Sequence, residues 1–310
     1  MRKNLLLNGD KFYKTNLNSK TSLSSGKLTA KQLKDAYKAK GYSIIAFCDE
    51  KPSLYSELSE NDFLILTAYR TKIENYNFIL YSKNENSIDL VEYNSDTSKS
   101  KEENINEFIK KAYEKGFLVC LEHPCKSMLS YSEIKNIEGL FGIEIANYSS
   151  FKEGHLEDNN HIYDRLLRRT IQFPLPIASD GNKNQADFES ADNDSFGAYT
   201  YINSKDLSYL SVIKALQNGD YYFSTGPVFK EIYAENSKLY IKCSPVRSIR
   251  MLNEGRDAPV AIAKDGELIT EAVFDIDPAF CGRIIRVDIR DENGNFADTV
   301  PYLIKELWGG

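Results

Sequence analysis

Short apolar runs alternating with amphipathic stretches dominate the first two thirds of the chain. Ser43-Ile44-Ile45-Ala46-Phe47, Phe63-Leu64-Ile65-Leu66, Asn77-Phe78-Ile79-Leu80, Phe117-Leu118-Val119-Cys120-Leu121 and Gly142-Ile143-Glu144-Ile145-Ala146 are each bounded by turn formers or charges. Such runs predict strands buried on both faces. Between them lie helices with legible ends. Thr29 to Gln32 and Ser100 to Glu103 have the spacing of capping boxes, and Gly41 and Gly116 stand where those helices should stop. The second helix carries Ile105, Phe108, Ile109 and Ala112 on one face. Strand and helix in repetition from about residue 12 to 185 predict a parallel α/β sheet or barrel.

The pattern changes after about residue 190. A helix near Leu207 to Asn218 ends at Gly219, and a period of two then takes over. Leu239, Ile241 and Cys243 share one face, the same alternation recurs from Ile285 to Arg290, and Asn293-Gly294 is a hairpin signal. This predicts an antiparallel β module of roughly 80 residues, solvated on one side. The polar stretch from Ser82 to Asn104 reads as a hairpin or surface excursion without defensible chemistry.

The composition, 42% hydrophobic and 27% charged over 310 residues, is that of a soluble globular chain of one large domain or two. The apolar run Leu5-Leu6-Leu7 is too short for a signal peptide, and no stretch approaches ~18 apolar residues, so the expected location is the cytoplasm and no membrane partner is expected. A net charge of −6 argues against a nucleic-acid track, while leaving an isolated basic pocket open. Five irregularly spaced cysteines fit a reduced compartment. Three histidines, His123, His155 and His161, are few for a multinuclear hydrolase centre, which draws on several imidazoles and carboxylates.

Several segments resemble PHP (polymerase and histidinol phosphatase) phosphoesterases. Thr21, Ser24, Gly26, the capped helix, Gly41-Tyr42 and Asp49 match the opening of that family. Gly116 to Pro124 looks like its strand ending in His-Pro, Gly142 to Asn147 like its Gly-Ile-Glu-x-x-Asn strand, and Ile177 to Asn184 sits where it has Ala-x-Asp-Asp-x-His. Asn218 to Pro227 resembles the junction of two-domain bacterial members. The resemblance implies a distorted, TIM-like β/α barrel over residues 1–226 and a small antiparallel, sandwich-like β domain over 227–310. It also implies metals at the C-terminal ends of the barrel strands.

The ligand positions depart from that pattern. Asn18 and Lys20 stand at the first two histidine positions, Ser25 at an aspartate, Glu50 at a histidine, Arg70 at a glutamate, and Gly181 and Lys183 at the final Asp-x-His pair. His123 remains, with Glu144 and Asp180 as neighbouring carboxylates. Protonated lysine and arginine offer no lone pair and repel a cation. The expectation is that no metal cofactor is held and that the chain is an inactive or altered member. Two readings of the pocket stay open. Asn18, Lys20, Ser25, Glu50, Arg70, His123, Glu144, Asp180 and Lys183 form a site for a small phosphate or carboxylate ligand, or the cations pair with Asp49, Glu50, Glu144 and Asp180 and fill the cavity.

The rival is a working phosphoesterase using zinc, manganese or iron, its metal on His123, Glu144 and Asp180 and its catalysis on His123, Asp49 and Glu50. A third reading is a partner-binding protein acting through the β module. His155 and His161 read as solvated surface residues, a small site with Asp158 being unsupported by spacing. Glu122 is expected to point away from His123 by strand alternation. Oligomeric state is not legible.

Overall fold

A computed structural model describes residues 2–6, 11–86, 88–155, 159–169, 173–183, 187–254 and 257–307. The chain divides into two compact units, Tyr13–Asp220 and the combination of Met1–Phe12 with Tyr221–Gly310. A single cut near Pro227 therefore misses one feature. The opening strand, β1 (Lys3–Leu6), pairs antiparallel with a strand 230 residues on and belongs with the C-terminal half.

The larger unit runs β2 (Phe12–Ser19), α1 (Ala30–Ala39), β3 (Ile44–Phe47), β4 (Leu64–Ile73), β5 (Tyr76–Ser82), α2 (Lys101–Glu114), β6 (Phe117–Glu122), α3 (Tyr131–Ile134), β7 (Gly142–Asn147), α4 (Tyr148–Lys152), α5 (Asn160–Arg169), β8 (Leu175–Ser179), β9 (Tyr199–Asn203) and α6 (Tyr209–Asn218). Its sheet order is β9-β2-β3-β4-β5-β6-β7-β8. Every residue of β3, β5, β6 and β7 is buried, as expected where both faces of a sheet are covered. Both capping boxes form. The Thr29 and Ser100 hydroxyls accept from the N3 amides, while Gln32 and Glu103 reach back, each cap contributing about 1 kcal/mol. Leu33 and Tyr37 then turn inward from α1 against Ile45, Phe47 and Ile65.

Two departures from the predicted parallel barrel shape the site. β4 and β5 form an antiparallel hairpin, with Glu74 in the left-handed region (φ 52°) at its turn, so β5 runs against its neighbours. The remaining pairs that set direction, β2–β3, β3–β4, β6–β7 and β7–β8, are parallel. The C-terminal ends of β2, β3, β4, β6, β7 and β8 thus share one edge. Nor does strand pairing close the sheet among the described residues. β2 and β8 meet only at their C-terminal ends, where Gly181 N donates to Asn18 O (2.9 Å) and Lys20 N to Asn182 O (3.2 Å).

The smaller unit holds β10 (Tyr221–Ser224), β11 (Phe229–Glu235), β12 (Lys238–Val246), β13 (Ser248–Asn253), β14 (Val260–Ile262), β15 (Ile269–Asp275), α7 (Pro278–Cys281), β16 (Ile284–Arg290), β17 (Phe296–Thr299), β18 (Tyr302–Leu303) and α8 (Ile304–Leu307). One antiparallel sheet has the order β1-β11-β12-β15; the other runs β14-β13-β16-β17-β10, with β18 beside β16. In β12 the alternation read from the sequence is the real one, whereas β16 is buried from Ile284 to Ile289, Arg286 and Asp288 included, so its expected solvated face is covered. Leu239, Ile241 and Cys243 are buried, and Lys238 and Lys242 face outward. The buried ion pair Arg286–Asp298 sits across β16 and β17. Among the described residues no helix is long and apolar enough to cross a membrane.

Candidate functional site

The shared strand edge of the larger unit gathers the residues singled out from the sequence. β2 ends in Asn18-Ser19, and the loop that Lys20 opens folds back tightly. Gly26 N donates to Thr21 O, and a Cβ at Gly26 would lie 2.0 Å from the Lys20 carbonyl oxygen. Only glycine fits there. β8 leads into Asp180-Gly181, where Gly181 adopts φ +60°; a Cβ would also come 2.4 Å from the Asn147 carboxamide. β6 ends in Glu122, and His123 follows it. His123 takes φ +32°, a left-handed conformation uncommon for a residue with a side chain, and Ser127 N closes the loop onto His123 O (3.0 Å).

That left-handed residue overturns one expectation. Alternation would send the Glu122 and His123 side chains apart, yet His123 Nε2 lies 3.4 Å from Glu122 Oε1. Glu122 is the hub of the site. Lys20 Nζ lies 3.5 Å from its Oε1, Arg70 Nη2 lies 3.2 Å from Oε2, and Asn18 Nδ2 donates to Oε1 at 2.9 Å. Burial alone would raise this carboxyl; the charges of His123, Lys20 and Arg70 outweigh it and hold it well below the usual range. Burial pulls the Lys20 ammonium down against the attraction of Glu122. His123 moves up, because Glu122 and then Glu144 outweigh its burial.

Glu144 has neutral partners. It accepts from His123 N (2.8 Å), Asn147 Nδ2 (2.9 Å), Asn18 Nδ2 (3.2 Å) and the Ser179 hydroxyl, and burial beside Glu122 raises its carboxyl. Asp180 is a staple for the loop beyond β8. Its oxygens accept from Tyr37 OH (2.5 Å) and from the backbone N–H groups of Phe196 (2.8 Å), Gly197 (2.9 Å) and Ala198 (2.9 Å). Burial nevertheless pushes it up to about 6. Asp49 serves the loop after β2 in the same way, accepting from Thr21 N (2.9 Å), Thr21 Oγ1 (2.7 Å), Ser24 Oγ (2.5 Å) and Tyr55 OH (3.0 Å).

Among the described residues, the ion pairs of Lys20, Arg70 and Lys183 run to Glu122 and Glu153 rather than to Asp49, Glu50, Glu144 or Asp180. Asp49 and Asp180 have their lone pairs committed to loop donors. Lys20 and Arg70 go to Glu122, and Lys183 shares Glu153 with Lys126. Those two lysines outweigh partial burial and hold Glu153 down at about 2.

A cavity of about 530 Å³ opens over this arrangement. Of the residues expected at the site, Lys20, Ser25, Glu50, Arg70, His123 and Lys183 line it, whereas Asn18, Glu144 and Asp180 lie behind its wall. Its lining holds Lys20, Arg70, Lys72, Lys126 and Lys183 against one carboxylate, Glu50. Lys72, Asn77, Lys126, Ser127 and Glu153 were not anticipated. Arg70 and Lys72 are two apart on β4, hence on one face, and Asn77 is opposite Lys72 across the hairpin. His161 is exposed, His155 is half-buried with its N–H on Ser150 O, and neither lines the cavity; Asp158 lies outside the described residues.

No family model matches the chain, and no curated protein matches it. A solved structure does, along nearly its whole length. It is a two-domain protein containing a predicted PHP-like metal-dependent phosphoesterase from Bacteroides vulgatus ATCC 8482. The TM-score is 0.50 at 12% identity, with 97% of each chain covered. The likeness is one of fold. Among the described residues, no three His, Cys, Asp or Glu side chains gather as a metal-ligand group.

Proposed function

We propose that this chain is a PHP-like protein on a distorted β/α-barrel scaffold whose strand-end cavity binds a small phosphate or carboxylate ligand in place of a multinuclear metal centre. The observation that carries the reading is the lining itself, where Lys20, Arg70, Lys72, Lys126 and Lys183 converge on one cavity, the first two beside Glu122 and the last two beside Glu153. Guanidinium and ammonium groups converging on a cavity are suited to carboxylate and phosphate oxygens. Asn77 and Ser127 add neutral hydrogen-bonding groups, Asn77 accepting from Arg70 Nη2 (3.2 Å) and donating to Ser127 Oγ (3.0 Å).

The donors fit a metal cluster poorly. Any ion on Glu122 would displace Lys20 or Arg70 from it, and Asp49 and Asp180 would have to release the loops they hold. Phosphoester hydrolysis by metal-activated water is accordingly not assigned to this chain. The rival reading draws on the neighbour's description as metal-dependent, with His123, Glu144 and Asp180 as its ligands. Elemental analysis separates the two after incubation with zinc, manganese and iron and desalting. Our reading expects well under one equivalent of metal per chain. Two equivalents, lost in His123→Ala, would restore the phosphoesterase.

A further inference from the structure

One corner of the cavity joins a hydroxyl, an imidazole and a carboxylate in series. Ser127 Oγ lies 3.2 Å from His123 Nδ1, and the other ring nitrogen, Nε2, lies 3.4 Å from Glu122 Oε1. With a carboxylate facing Nε2, that nitrogen holds the ring proton and Nδ1 accepts from the serine hydroxyl. Asn77 Nδ2 donates to the same Oγ (3.0 Å), and Asn77 is itself oriented by Arg70 Nη2 on its carbonyl oxygen (3.2 Å). The turn does not depend on the side-chain contact, because Ser127 N already closes it onto His123 O (3.0 Å). Ser127 and His123 both line the cavity, and the serine is only half-buried, so a bound molecule can reach its hydroxyl.

We infer that Ser127 is a nucleophile, with His123 as its base, toward esters of carboxylic acids that carry a second, anionic group. The inference rests on the anion-binding reading above for that second group, and goes beyond it by assigning a reaction. Serine is a weak nucleophile until a base takes its proton, and an imidazole whose far side faces a carboxylate is stabilised as it becomes charged. In the first step Ser127 Oγ bonds to the ester carbonyl carbon while its proton passes to His123 Nδ1. The tetrahedral adduct collapses by breaking the carbon–oxygen bond to the alcohol, which leaves with that proton. Water then adds to the acyl-serine and gives a proton to Nδ1; the acid departs and Oγ recovers the proton. The carbonyl carbon is uncharged, so no ion has to neutralise it before attack. The negative charge that collects on the carbonyl oxygen falls in a cavity lined by Arg70, Lys72 and Lys126, surroundings that favour it.

The test uses the full chain in chelator-containing buffer with 4-nitrophenyl hemisuccinate and 4-nitrophenyl butyrate. These esters share a leaving group and differ in ending with a carboxylate or a methyl group. Nitrophenolate release is followed together with the masses of digested peptides. The expected result is a burst of release, a succinyl group on Ser127, and acylation at least tenfold faster with the hemisuccinate. Ser127→Ala and His123→Gln should each slow the burst by about a hundredfold or more. Ser127→Cys, which keeps a nucleophile in place, should carry the acyl group as a thioester. Peptide mapping of the unaltered chain stands whatever the substitutions do to folding. Acyl groups found only on lysines, or a burst that Ser127→Ala or His123→Gln leaves unchanged, would overturn the serine–histidine assignment. Ser127 acylated equally fast by both esters would overturn the anionic substrate. Calorimetric titration with inorganic phosphate reads the anion site separately, so its failure is distinguishable from that of the reaction.

Discussion

Glu122 and Asp180 are both completely buried carboxylates on the same strand edge, and they behave in opposite ways. Glu122 is met by Lys20, Arg70 and His123, and its carboxyl is held well below the usual range. Asp180 is met by a phenol and three peptide N–H groups, and burial pushes it up to about 6. Both have several close partners, so the number of partners does not separate them. What separates them is whether the partners bring full positive charge into the wall. The first arrangement produces an electrostatic site, the second a hydrogen-bonded hinge for a loop.

The largest loss is expected at Glu122. Glu122→Gln strands Lys20 and Arg70 without their counter-charge, and should lower the unfolding free energy in urea by about 3–5 kcal/mol. Adding phosphate should return part of that loss, because an anion in the cavity replaces the missing charge. Asp180→Asn should cost less, about 1–3 kcal/mol at pH 7, since one amide oxygen cannot replace two carboxylate oxygens facing four donors.

The pH dependence has opposite signs at the two residues. The Asp180 carboxyl rises from 3.8 to about 6 on folding, so the folded chain holds the extra proton in that window. Its contribution is full below pH 3.8 and is lost as the pH rises through about 6, a change of about 3 kcal/mol in scale. Glu122 is lowered from 4.5, so its contribution is present above pH 4.5 and is lost as the pH falls further. Urea midpoints across pH 3–7 should show the decline between pH 4 and 6 vanish in Asp180→Asn and the acid-side loss shrink in Glu122→Gln. The smallest effect belongs to the mouth. Glu153→Gln should change stability by no more than about 1 kcal/mol, while raising phosphate affinity a few-fold by freeing Lys126 and Lys183.

Much of the scaffold was written in local chemistry. The capping boxes at Thr29 and Ser100, the glycines that end α1 and α6, and the alternation in β12 act within a few residues, so a linear reading finds them. The β4–β5 hairpin escaped because its turn, Glu74-Asn75, has neither glycine nor proline, and a left-handed glutamate is not a sequence signal. The membership of β1 in the C-terminal unit depends on a pairing across more than 200 residues. At the site, Lys20, Arg70 and Lys183 could be named from the resemblance, but Lys72, Lys126 and the carboxylate partners could not. His123 meets Glu122 against strand alternation because it leaves the strand with positive φ. Glu153 lies on the turn after α4, where its spacing from Lys126 and Lys183 has no meaning along the chain.

The most direct measurement is calorimetric titration of the chelator-treated protein with inorganic phosphate, alongside Arg70→Ala. Saturable binding without metal is expected, weakened at least tenfold in the variant and falling as salt rises. Binding that appears only when zinc, manganese or iron is supplied, or that Arg70→Ala leaves untouched, would contradict it.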